Sequence, residues 1–328
     1  MRRIVLLTGL PRSGKTFVKN LLSLNPEVQT TEKEFFFFRY FDDKSFNSRG
    51  NYEQNTKFLF KNCKISENLQ LNYDYFSKNG NDNKDLYQNI IENHLQVINS
   101  KKKIFLDNSP DTIGYFKKYI KWFGDDFKCV FVKRKLIDNF ASYKSKNIKK
   151  SSFEKLVYNF KFKYYHSNLI FNLLKNQYPN NLFEIKFEEI IKKTNKIYNN
   201  LSTFLDLKID KDLDNKIIQS KFIVNSSFNK DRSLRNIDKT TVDRSKYLNA
   251  KEKEIINQKI ILIDNSFLEK ESFELDIKTK NEMRRVKIAN LSNILVNIFY
   301  DLKIKLIFKS QLMLIIYTIK RFLGKFLN

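Results

Sequence analysis

Several residues that would announce a protein class at once are scarce in this chain. Its 328 residues include 2 cysteines, 2 histidines, 4 prolines, 7 glycines and a single tryptophan. Cys63 and Cys129 alone make neither a disulfide framework nor a metal-ligand spacing, which excludes small secreted scaffolds and zinc modules. Cys129 lies in the apolar run Cys129-Val130-Phe131-Val132 and reads as a core residue; a reducing compartment fits. The longest apolar stretches, 288–300 and 310–319, fall short of the ~18–20 residues that span a bilayer. Met1-Arg2-Arg3 leads directly into the first apolar run, so no signal peptide and a cytoplasmic location are expected. Acidic residues are also few, 36 against 61 Lys and Arg, a formal charge of +25. Such an excess favours polyanions, anionic lipid or acidic substrates. An AT-rich genome encodes the same Lys-, Asn-, Ile- and Phe-rich composition, however. No cluster forms a nucleic-acid module, and Lys101 to Lys103 read as a solvated edge, so no nucleic-acid partner is expected.

What is present is an alternation of short apolar runs and helical patterns. Residues 4–7, 28–31, 104–107, 129–133 and 182–186 read as strands. Helical periodicity covers 86–98, 112–123, 136–144, 153–174 and 197–205. This order predicts an α/β three-layer sandwich, a mostly parallel sheet with helices on both faces. One domain is expected over 1–282. Within it, 40–83 reads as an irregular insertion, a substrate lid or equally a plain surface excursion, and 219–247 as a long polar loop. Beyond it, 283–328 reads as a C-terminal extension of amphipathic helices. Three roles fit that extension: covering the core, a homodimer contact, or peripheral membrane contact through 288–325 with its lysines at anionic headgroups.

The most informative stretch is Ile4 to Phe17, IVLLTGLPRSGKTF. A buried strand runs into Gly9 and Gly14 and then into a helix start at Lys15 and Thr16. Backbone N–H groups of such a loop converge on one point, where the helix dipole adds positive potential, and the nest binds phosphate. The octapeptide from Gly9 to Thr16 satisfies the nucleotide-triphosphatase pattern G-x-x-x-x-G-K-[ST] in full. In that reading Lys15 reaches the β and γ phosphates, Thr16 holds Mg²⁺, and Asp107 completes the metal site of a kinase.

The same loop resembles the 5′-phosphosulfate loop of sulfotransferases through Pro11-Arg12-Ser13-Gly14 and Thr16, with Lys15 where that family has a small hydroxyl residue. On the loop alone the two readings stand level. Further segments resemble the sulfotransferase family in the right order. Lys33-Glu34 with Phe35 to Phe38 looks like the K-E-x-x-F-F element of the carbohydrate-type enzymes. Asp107-Asn108-Ser109-Pro110 is similar to E-K-[ST]-P, though Asn108 replaces the lysine. Val132-Lys133-Arg134 through Ala141-Ser142-Tyr143 matches the 3′-phosphate element. Phe183 to Ile190 and Phe204-Leu205-Asp206-Leu207 look like two later landmarks. Asn225-Ser226-Ser227-Phe228 resembles the C-terminal nucleotide loop. Together they cover residues 3 to 265.

The resemblance implies a P-loop fold and transfer of a sulfuryl group from 3′-phosphoadenosine 5′-phosphosulfate (PAPS) to a hydroxyl or amine. A carbohydrate or glycolipid acceptor is expected, and no metal. It implies that Arg12, Ser13, Gly14, Lys15, Thr16 and Phe17 hold the 5′ end of the donor. Arg134 and Ser142 then hold the 3′-phosphate, with Ser227, Arg232 and Arg235 completing the nucleotide site. Arg12, Lys15 and Lys33 are expected beside the transferring group, with Glu34 as general base and His94 a distant second choice. The alternatives are the Mg-ATP kinase and a non-enzymatic polyanion- or membrane-surface protein that kept the fold.

Overall fold

The computed structural model describes residues 2–77, 79–109, 112–148, 152–209, 212–219, 243–257 and 260. All lie in the compact unit Met1–Asp264. The expected helices of 283–328, the segment 220–242 with Ser227, Arg232 and Arg235, and Pro110 fall outside the described residues.

Five strands are found: β1 (Arg3–Gly9), β2 (Val28–Thr30), β3 (Ile104–Asn108), β4 (Lys128–Lys133) and β5 (Leu182–Lys186). They pair side by side, all parallel, in the order β2-β3-β1-β4-β5. The central strand β1 is covered on both faces, which is why Val5, Leu6 and Leu7 form a continuous apolar run with no exposure. The order jumps over β1 between β3 and β4. That switch opens a crevice beyond the carboxyl end of β1, where the glycine loop lies.

On one face α1 (Lys15–Ser23), α10 (Phe187–Lys192), α11 (Thr194–Phe204) and α12 (Leu213–Gln219) cover Val5, Leu7, Leu106, Val130 and Val132. The other face is aromatic and packs against α6 (Asn83–Val97), α7 (Phe116–Phe123) and α9 (Phe153–Gln177). There Phe105 meets Phe35, which meets Tyr87, and Phe131 stacks on Phe171 with ring centres 4.4 Å apart. At the far side, α8 (Leu136–Asn147) and α9 share a small core with α13 (Ala250–Ile256), built on Phe140, Phe160, Leu248 and Ile256.

The expected irregular insertion turns out largely helical. It holds α2 (Phe37–Tyr40), α3 (Asp43–Ser48), α4 (Tyr52–Asn62) and α5 (Lys64–Asn68). Its polar residues read as loop because several are helix caps. Asp42 accepts from the Ser45 N–H and Asn51 from that of Gln54. Arg49 then fastens the helices together, its guanidinium 3.9 Å from the Phe58 ring centre and bonded to the Tyr40 carbonyl and the Asn55 side chain. No helix among the described residues is long and apolar enough to cross a membrane.

Candidate active site

The loop from Gly9 to Gly14 takes its shape from two glycines. Gly9 has φ 141°, and a Cβ there would lie 2.4 Å from the Val132 carbonyl oxygen. Gly14 has φ 101°, and its Cβ would meet the Phe187 ring at 2.1 Å. Both conformations favour glycine, and both contacts demand it. Arg12, between them, also adopts a left-handed φ of 69°, uncommon for a side-chain-bearing residue and a form of strain found at binding sites. Helix α1 starts at Lys15, so its first-turn N–H groups open toward the crevice.

The individual loop residues divide their work. The Ser13 N–H closes a turn onto the Leu10 carbonyl, while its hydroxyl, fully buried, has no hydrogen-bond partner. Lys15 is buried, with its Nζ donating to the Gly9 carbonyl at 3.0 Å and the Leu10 carbonyl at 2.7 Å. Thr16 stays half-exposed at the helix start. Phe17 turns into the core, edge-on to Phe187, and its N–H bonds to the Gly14 carbonyl.

Residues from β4 and α8 close over this loop. Arg12 Nε donates to Ser142 Oγ at 3.3 Å, Arg134 donates to the Arg12 carbonyl at 3.3 Å, and Asn139 donates to the Pro11 carbonyl at 3.2 Å. Arg134 also lies over the Phe187 ring, 4.9 Å from its centre. A third guanidinium comes from a distant part of the chain. Asp138, in the first turn of α8, accepts the N–H groups of Arg244 and Ser245 at 2.6 and 2.8 Å, fixing that segment beside α8. Arg244 is 3 % exposed.

Three arginines so close repel one another. Burial first, and then the charge of Arg244, lower the pKa of Arg12, against the opposing pull of Glu34. Burial pushes Arg134 down to about 10; Arg244 and Arg12 add to this, while Asp138 and Glu188 oppose it. A guanidinium stays charged even so. The cluster therefore holds electrostatic repulsion that a multiply charged anion would relieve. With the orphaned Ser13 hydroxyl beside it, the donor set fits a ligand carrying phosphate at two ends.

Glu34 faces the cluster from the loop between β2 and α2. It is half-buried, and its charge opposes the lowering of the Arg12 and Lys19 pKa values that burial causes. Lys33 is exposed on the same loop. Asp107 lies elsewhere. Leu106 packs on the α1 side of the sheet, so Asp107 points to the opposite face. There it is fully buried and takes hydroxyls from Tyr87 (2.8 Å), Tyr119 (2.6 Å) and Ser109 (2.5 Å). The carboxylate that the kinase reading needs at this strand end is thus engaged away from the loop. Asn108, in the family's lysine position, is 4 % exposed, its Oδ1 without a partner. His94 sits inside α6, its Nδ1 on the Leu69 carbonyl.

Sequence reasoning brought Arg12, Arg134, Ser142 and Glu34 into one neighbourhood, and the structure does the same. It missed Arg244, Asn139 and Phe187. Asn139 and Phe187 lie within matched segments, at positions that carry no signature of their own; Arg244 arrives only through the tertiary contact with Asp138.

A parallel sheet, a glycine loop opening a helix and a guanidinium cluster beside that loop define an α/β P-loop protein. Within that class the chain belongs to the sulfotransferase family, whose model matches residues 5–211. Two solved structures share its fold. One is the sulfotransferase domain of the olefin synthase of Synechococcus PCC 7002, at TM-score 0.52 and 14 % identity, covering 75 % of this chain and 88 % of that one. The other is the sulfotransferase domain from the curacin biosynthetic pathway, at TM-score 0.52 and 17 % identity, covering 79 % and 97 %. No curated protein sequence matches the chain.

Proposed function

We propose that this protein transfers a sulfuryl group from PAPS to a hydroxyl or amine of an acceptor, in the first place a carbohydrate or glycolipid. The observation that carries the donor assignment is the meeting of Arg12, Arg134, Arg244 and Ser142 at the glycine loop. ATP offers one anionic end; this cluster suits two. When bound, the donor supplies an activated sulfuryl group, and the chain's part is positioning and electrostatics. The first-turn N–H groups of α1 and the Thr16 hydroxyl bind the 5′-phosphate. Arg134, Arg244 and Ser142 bind the 3′-phosphate by charge-assisted hydrogen bonds. Arg12 lies between the two groups and offsets charge at the transfer point. Glu34 accepts the acceptor's proton on its carboxylate. The acceptor class rests on the Lys33-Glu34 pair.

Titration calorimetry with adenosine 3′,5′-bisphosphate and with ADP tests the donor assignment. The bisphosphate is expected to bind more tightly and to be indifferent to EDTA. Arg134→Ala should weaken it about 10- to 100-fold, the worth of a buried charged hydrogen bond, while ADP changes little. Equal losses for both nucleotides, or a Mg²⁺-dependent preference for the ATP series, reject the reading.

A further inference from the structure

The loop that carries Glu34 is held from two sides, by one group on α1 and one at the end of β3. From α1 comes Lys19, 8 % exposed, whose Nζ donates to the carbonyls of Thr31 and Glu32, each at 3.0 Å. Burial lowers its pKa, while Glu32 and Glu34 pull the other way. A buried ammonium is costly wherever a methionine would pack, so two backbone acceptors on one loop are a specific arrangement. From the end of β3 comes Ser109, 1 % exposed, whose Oγ accepts the Phe36 N–H at 3.0 Å. A serine hydroxyl has one proton, and Ser109 gives it to Asp107, which leaves its lone pairs directed at Phe36.

Between these anchors the chain is bent. Phe36 has φ 52°, a left-handed conformation that an aromatic residue rarely takes without external support. The bend follows Glu34 by two residues, and Thr31 Oγ1 ties the loop further by donating to the Lys33 carbonyl at 2.6 Å. Lys19 stands one turn beyond Lys15 on the helix whose amino end faces the donor.

We propose that Lys19 and Ser109 are positioning residues, a two-sided clamp that fixes the backbone of the loop carrying Glu34. The inference rests on the reading of Glu34 as the proton acceptor. Through Lys19, the helix that binds the donor also sets the acceptor-side carboxylate, so the two half-sites move as one body.

A thiol at position 34 reports the arrangement without any turnover. Cys63 and Cys129 are buried and their thiols pushed up, Cys63 to about 11, so both alkylate slowly beside an introduced Glu34→Cys. The probe is iodoacetamide, and the measurement is its rate against pH. Held near Arg12, the new thiol should titrate below the ordinary value of about 8.5. Adding Ser109→Ala or Lys19→Met should return it toward that value, and Ser109→Thr should keep the low one. Tyr52→Phe removes a buried hydroxyl bonded elsewhere, to the Ser77 carbonyl, and should leave the profile alone. Amide exchange over residues 31–38 should quicken about tenfold in the two clamp variants, with Val5 to Leu7 unaffected. A thiol that titrates normally from the start, or one indifferent to both clamp variants, overturns the proposal. Full turnover by Glu34→Gln would instead remove the proton-acceptor role and leave the thiol result to decide the clamp.

Discussion

Gly14 carries two demands in one position. Its φ of 101° disfavours any side chain, and the Phe187 ring fills the place where a Cβ would go. Gly14→Ala should therefore cost about 2–5 kcal/mol, summing backbone strain and overpacking. Urea unfolding checks this: the midpoint should fall with the slope unchanged. Phe187 matters twice, since Arg134 also lies over its ring. The single residues whose place in the cluster was legible from the chain alone were those marked by near neighbours, Arg12 by Pro11 and Gly14, Arg134 by the end of a strand. Lys19 was not legible. On a helix, a lysine reads as part of a wet face until the packing shows its ammonium buried against a second segment.

Helix α6 contains the clearest acid-sensitive feature. His94 is buried, Nδ1 donating to the Leu69 carbonyl and Nε2 without a partner. Burial lowers its pKa below the usual value, outweighing the opposing pull of that carbonyl. The unfolded chain thus takes up a proton near pH 6.5 while the folded one does not. Stability should be whole above about pH 6.5 and decline as pH drops through the window below it. Urea midpoints at pH 7.5 and 5.0 should differ, and His94→Leu should remove part of that difference. An identical acid loss in the variant would place its origin in other groups. Elements were legible where periodicity was long: β1, α6, α8 and α9 fall close to their expected bounds. The helices of 43–68 were hidden because their caps, Asp42 and Asn51, are the residues that also mark loops. Short α10 carries its apolar contacts at Phe187 and Ile190 within six residues, too brief for a period to show.

At the scale of the whole molecule, the chain carries a formal charge of +25, and its described site concentrates three guanidinium groups. Donor binding should accordingly be strongly ionic. Raising salt from about 0.05 to 0.5 M shortens the screening length several-fold, and affinity for adenosine 3′,5′-bisphosphate should fall about tenfold or more. Calorimetry across a salt series measures the slope, which should flatten in Arg134→Ala. A flat slope in the parent protein would assign the basic surface to composition alone.

The hydrogen-bond ladder between β1 and β4 sets Gly9 against Val132, two positions before Arg134. Both groups proposed to bind the donor's phosphates therefore start from one rung, and the spacing of Gly9 and Val132 is fixed by strand pairing. Lengthening the chain by a residue between 132 and 134 would rotate Arg134 out of reach, whereas the helices of 43–68 contribute no strand to the sheet. A protein engineer wishing to redirect this scaffold has freedom over what receives the group and almost none over what delivers it.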